Sequence, residues 1–303
     1  MNDQLNKPKG FGEILDITFR ISKSRFKEFF TILLILVGPV YLLQAFIQLA
    51  TGTSFLREVG TGDGWFEQML SSFEGAEPTF SSNVAADLGI AAVSLISFVT
   101  YPIAIAAILF GVNHLRKQEE FTVGSLIRKG FSRFWAILGC NILFVIIMIL
   151  LILAATFFVV FSGFLTIAFE PVIGIIFTIL LVLVATVTVL YLLTRWGFYF
   201  GSVVIEKDTP GIARSWTLTK GRAWFSLGLY IIFFLIISSI SAAMELSFGL
   251  ILGGSVLLGL IVNITTLFTM LIMTVGYSVM YLDLKIRHDA DDLKDMINQY
   301  NAK

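Results

Sequence analysis

Apolar residues run in six long stretches, at roughly 29–50, 88–112, 134–161, 172–200, 225–247 and 252–282, with polar segments between them. A helix needs about 20 apolar residues to cross the hydrocarbon core of a bilayer. Backbone polar groups in lipid must be satisfied within the chain, and runs of this length are far too long for barrel strands. The pattern predicts an all-α fold: an integral membrane bundle of six transmembrane helices.

The polar segments have a pattern of their own. Before the first, third and fifth stretches the periodicity shifts to that of amphipathic helices. In the first of these, Glu13, Asp16, Arg20, Lys23 and Lys27 recur at three- and four-residue spacing, with Phe11, Ile14, Leu15 and Thr18 on another face. In the second, Ser125, Arg128, Lys129 and Ser132 make the polar side, with Val123, Ile127 and Phe134 roughly opposite. In the third, Thr209 reads as an N-cap and Pro210 as the first helical residue. Ile212, Trp216, Thr219 and Ala223 then share one face, and Arg214, Thr217 and Lys220 share the other.

Each such elbow helix ends in a basic-aromatic junction: Lys23-Ser24-Arg25-Phe26, Gly130-Phe131-Ser132-Arg133-Phe134-Trp135 and Lys220-Gly221-Arg222-Ala223-Trp224. The chain therefore divides into three elbow-plus-hairpin units, about 11–112, 119–205 and 208–282, within a single membrane domain at 1–288. An acidic tail at 289–303 follows. Its Leu293, Met296, Ile297 and Tyr300 form a helical stripe, and its acids predict docking on the basic elbows.

Charge orients the bundle. The chain has 21 Lys and Arg, and only Arg57 falls on one side of the spans. The other side carries the basic N-terminal arm, the 113–133 and 195–224 segments and the tail. The positive-inside rule then puts both termini in the cytoplasm, with the elbows lying on the anionic cytoplasmic leaflet. The chain is expected in the cytoplasmic membrane of a prokaryote as a multi-pass protein. Residues 1–28 are polar and carry six Lys/Arg, unlike a cleaved signal peptide, so the first stretch is expected to remain a span. Zero net charge argues against a nucleic-acid partner. Cys140 is the single cysteine and reads as a packing residue, which leaves no disulfide and no cysteine metal site.

Chemistry-bearing residues are sparse. Pro39 and Pro102 sit at similar depth in the first two spans. Proline interrupts helix hydrogen bonding, either as a simple kink or at a transport site. Gln44 and Gln48 share a face of the first span, Asn141 lies in the third and Asn263 in the sixth. Such groups glue helices together or line a polar path. Gly197/Gly201 and Gly249/Gly253 both fit G-x-x-x-G, and a turn is expected near Ser247–Gly249. His114 reads as a surface residue at a span exit. In the outer loop, Asp63 to Gly75 reads as a short amphipathic helix carrying Trp65, Phe66, Met69, Leu70 and Phe73. No catalytic, cofactor or metal set is visible.

Three stretches resemble a known family. They are Arg195-Trp196-Gly197-Phe198-Tyr199-Phe200 with Val203-Val204-Ile205-Glu206 and Ala213-Arg214-Ser215-Trp216-Thr217-Leu218-Thr219-Lys220-Gly221-Arg222-Ala223-Trp224, then Phe11-Gly12-Glu13-Ile14-Leu15-Asp16 with Phe19-Arg20, then Tyr281-Leu282-Asp283-Leu284-Lys285-Ile286-Arg287 with Asp292-Leu293. Together they resemble the prokaryotic polytopic proteins grouped under the membrane domain of glycerophosphoryl diester phosphodiesterases. The resemblance covers nearly the whole chain and implies a membrane fold. The catalytic barrel of some members is expected to be absent, since only residues 283–303 follow the last span. His114 and His288 are the only histidines, so the His-Arg and Glu-x-Asp chemistry of those enzymes is not expected either.

The sequence thus predicts a non-enzymatic accessory or scaffold protein without cofactor. Its basic cytoplasmic surface, Arg20, Lys23, Arg128, Lys129, Arg214, Lys220 and Arg222, is expected to hold a protein partner. The alternative is a transporter or permease subunit, with a path between the first, second and sixth spans past Pro39, Gln44, Pro102 and Asn263.

Overall fold

The computed structural model describes residues 7–56, 84–168 and 171–301; the side chains of 84–86, 164–168, 171, 173 and 290–301 stand outside the description. The outer-loop helix expected at Asp63 to Gly75 lies outside the described residues. Among those described, regular structure is helical throughout. In chain order the helices are α1 (Phe11–Ser24), α2 (Phe26–Leu36), α3 (Gly38–Ala50), α4 (Val84–Lys117), α5 (Val123–Ser132), α6 (Phe134–Ala168), α7 (Pro171–Trp196), α8 (Tyr199–Gly201), α9 (Ile212–Leu218), α10 (Ala223–Leu252) and α11 (Val256–Asn301). A π-helical turn, Ser202–Glu206, continues α8.

Five helices are long and apolar enough to cross a membrane, and a sixth span results if α2 and α3 count as one. This is compatible with a multi-pass membrane protein. The α2–α3 pair bends by 46°. The bend falls at Gly38 and Pro39, where proline begins a new helix and lacks only an N–H that the first turn leaves unused. Pro102 instead lies inside the continuous α4. The two helices meet beside these prolines, where the hydroxyls of Tyr41 and Tyr101 are 3.1 Å apart.

The core gathers where α1, α2, α3, α4 and α11 pack together. Phe29, Ile32, Leu33, Ala104, Ile108 and Val275 are completely buried there. The α6–α7 hairpin meets that core near Ile137 and Cys140 and is otherwise little covered. In the most apolar stretch of each of its helices no residue is buried by protein, against half of the residues in α4's. An open apolar cleft of about 320 Å³ lies along the packed α6–α7 pair, lined by Ile152, Ala155, Thr156, Val182, Ala185 and Thr186 among others.

Three local expectations change. The turn between the last two long helices is at Gly253, whose φ of +57° ends α10 at Leu252, and Gly249 stays helical. The third short helix starts at Ile212, because Gly211 takes the left-handed conformation (φ +73°) after Thr209 and Pro210. It buries Ser215, Leu218 and Thr219, while Trp216 turns partly outward. The backbone of 289–301 prolongs α11 without a break. The tail stripe Leu293, Met296, Ile297 and Tyr300 consists of side chains outside the description.

Candidate functional site

Three polar networks close the basic end of the bundle. The first joins the N-terminal arm to α11. The backbone N–H of Lys9 donates to Asp283 Oδ1 at 2.7 Å, and Arg287 donates to Asp283 Oδ2 at 2.9 Å and to the Lys9 carbonyl at 2.8 Å. Asp283 is 1% exposed and Lys9 2%. The Lys9 ammonium donates to the Lys7 carbonyl at 2.9 Å. Its pKa lies below the ordinary lysine range, because burial strips water from the charge; Asp283 opposes that shift.

The second network centres on Glu206, at the end of the π-helical turn. Tyr281 donates to its Oε1 at 2.6 Å, Arg214 donates to its Oε2 at 2.9 Å, and Lys285 lies 3.3 Å away. Arg214 also pairs with Asp289 at 3.3 Å. This ties α9, the turn and α11 together. Just inside it, the Tyr277 hydroxyl accepts from the Gly201 N–H (2.8 Å) and donates to the Gly197 carbonyl (3.2 Å). A Cβ on Gly201 would run into the Tyr281 ring, so this G-x-x-x-G pair marks close contact with α11. Gly249 has only ordinary contact room.

The third network corrects the reading of His114 as a surface residue, since it is 7% exposed. Its Nε2 lies 2.7 Å from the Lys129 ammonium and its Nδ1 2.6 Å from the Phe110 carbonyl. An ammonium can only donate, so Nε2 accepts and Nδ1 carries the proton toward Phe110. The α5 helix is itself capped by reciprocal bonds between Thr122 and Ser125.

The expected docking residues divide into two groups. Lys23, Arg128, Lys129 and Lys220 are exposed. Arg20 is held by Asp16 at 3.0 Å, Arg214 is taken up by Glu206, and Arg222 lies with Cζ 4.5 Å from the Phe225 ring. The residues missed from sequence are Lys9, Glu206, Tyr281, Asp283 and Lys285 as partners of one another. The α3, α4 and α11 helices, which carry the expected path residues, do pack together. Pro39 is exposed there, Gln44 and Asn263 are half-buried and Pro102 is buried. Asn141 accepts a bond from Tyr199 at 3.1 Å. Among the described residues, no three His, Cys, Asp or Glu side chains are grouped to hold a metal.

Comparison with protein-family models, curated proteins and solved structures gives no match.

Proposed function

We propose that the chain is a non-enzymatic multi-pass protein of a prokaryotic cytoplasmic membrane. It has six spans, counting α2–α3 as one, with both termini and the short helices α1, α5 and α9 on the cytoplasmic side. It acts as an accessory or scaffold that presents a basic surface to a partner. The single observation that carries this reading is the division of the basic residues. Arg214 and Arg287 are taken up by part-buried ion pairs, whereas Lys23, Arg128 and Lys220 stay exposed and Arg20 pairs only with the exposed Asp16. Packing supports it further, because the junction of α3, α4 and α11 is filled by Tyr41, Ala104, Ile108, Leu271 and Val275. Kinship with the glycerophosphoryl diester phosphodiesterase membrane domain is carried here as a fold-level resemblance only.

The transporter reading keeps one observation in its favour: the 46° bend at Gly38 and Pro39 faces the Pro102 helix across the Tyr41–Tyr101 contact. The double charge reversal K23E/R128E separates the two. In the scaffold reading, cross-linking in native membranes loses the partner bands seen with the wild type. Unchanged bands overturn it. Arg214 is left out of the set because its loss would break the Glu206 network instead.

A further inference from the structure

The corner where α7 ends and α10 begins concentrates positive charge that no described residue neutralises. Arg195, Lys220 and Arg222 form no ion pair among the described residues. By contrast Arg20, Arg25, Arg214 and Arg287 each meet a carboxylate within 3.0 Å. The acids of the 195–224 segment are Glu206 and Asp208, and Glu206 is held by Arg214 and Lys285.

Bonds through Thr219 tie the backbones of the three residues to one corner. The Thr219 hydroxyl donates to the Arg195 carbonyl at 3.4 Å, and the Arg222 N–H donates to the Thr219 carbonyl at 3.0 Å. Gly221, at φ +74°, turns the chain between Lys220 and Arg222. The guanidiniums are set against rings, Arg195 Cζ being 3.8 Å from the Trp216 ring centre. Arg195 gives one N–H to Tyr191 Oη (3.3 Å) and one to the Trp216 carbonyl (2.8 Å). Its Nε and the Nη1 of Arg222 are buried donors with no acceptor among the described residues. Buried donors left without acceptors are costly, more so when charged.

The rest of the corner suits the lipid headgroup depth. The Tyr191 and Trp224 rings pack at 5.2 Å, and Trp224 is 63% exposed. Tyr and Trp favour this interfacial level. Further along the same helices, Leu180, Val184 and Val187 of α7 and Ile231 and Leu235 of α10 present exposed apolar side chains at helical spacing.

We propose that Arg195, Lys220 and Arg222 form a binding site for the headgroup of an anionic phospholipid in the cytoplasmic leaflet. Its acyl chains lie along α7 and α10. A phosphodiester supplies acceptor oxygens and negative charge together. A zwitterionic headgroup would bring its own cation beside three that are already uncompensated. The site depends on the proposed membrane topology, but not on the scaffold role.

The test is native mass spectrometry of the detergent-purified protein, titrated with phosphatidylglycerol and with phosphatidylcholine of equal chain length. The wild type should retain phosphatidylglycerol preferentially. K220Q/R222Q should weaken retention about fivefold per residue. Neither side chain makes a hydrogen bond or ion pair among the described residues, so this variant gives up only the packing of Arg222 on the Phe225 ring. R195Q should weaken retention as well. K23Q/R128Q, which removes cations of the scaffold surface, should leave it unchanged, so loss of the lipid site and loss of the scaffold role are told apart. Equal retention of the two lipids, or unchanged phosphatidylglycerol retention by K220Q/R222Q, overturns the site. Millimolar inorganic phosphate should displace the lipid poorly; complete displacement would make the free anion the ligand and overturn the lipid assignment.

Discussion

Lys9 and Asp283 stand 274 positions apart, and the N–H of the first donates to the carboxylate of the second at 2.7 Å. Arg287 closes the contact from the other side. The N-terminal arm is thereby fastened to α11 by its backbone. D283A should leave the buried Lys9 N–H without its acceptor and Arg287 with only the Lys9 carbonyl, a loss of about 3 kcal/mol for a broken buried pair. The unfolding midpoint in detergent should fall and the bond before α1 should become open to protease. An unchanged midpoint and digestion pattern would sink the clamp.

K9M should behave differently, because both clamp bonds at position 9 belong to the backbone. It removes only a buried ammonium. The unfolded lysine titrates at about the ordinary 10.5 and the folded one lower. The folded state therefore bears the full cost of the charged form below its lowered pKa. The cost lifts as pH rises from there toward 10.5. Wild-type stability should gain relative to K9M over that alkaline window. A parallel rise in K9M would assign the gain to other groups.

The contact of Gly201 with Tyr281 leaves no room for a methyl group. G201A should cost about 1–3 kcal/mol through overpacking. G249A, at a position with only ordinary contact room, should be within about 0.5 kcal/mol of the wild type. Thermal unfolding of the two variants in the same detergent compares them directly. Equal midpoints would contradict the close packing of α8 on α11.

Glu206 and Arg214 are 2.9 Å apart and both are largely covered, with side chains 15% and 24% exposed. Removing either leaves the other with weaker company, Glu206 with Tyr281 and Lys285 and Arg214 with Asp289. A double-mutant cycle with E206Q and R214M should show a coupling of about 1–3 kcal/mol, the double variant being less destabilised than the sum of the singles. Additive effects would mean that the pair contributes no more than a surface ion pair.

The long helices were legible because lipid-length apolar runs leave few alternatives, as in the segment that becomes α7. Turns were legible only where local chemistry decides them. Ser247–Gly249 looked like a turn, yet Gly249 is content in a helix and Gly253 is the residue that adopts positive φ. Thr209 and Pro210 looked like a helix start, yet Gly211 intervenes with its own left-handed step. The Asp16–Arg20 pair could be read from spacing, since both lie on one helix face. Contacts that cross the chain could not. Nothing local to Lys9 points to Asp283, and His114 becomes a buried acceptor only once α5 brings Lys129 to it. Counting basic residues therefore predicted a surface of seven candidates without revealing that Arg214 is taken up by Glu206 inside the fold.

The docking surface and the lipid site both rest on the basic end facing the cytoplasm. Single cysteines at Gly124 and Gly254 test this most directly, in a chain where Cys140 is replaced by serine. A Cβ meets no atom within 4 Å at either glycine. With a membrane-impermeant maleimide applied to intact cells or spheroplasts, G254C should label at once and G124C only after permeabilisation. Labelling of G124C in sealed cells, with G254C protected, would reverse the topology and contradict the account.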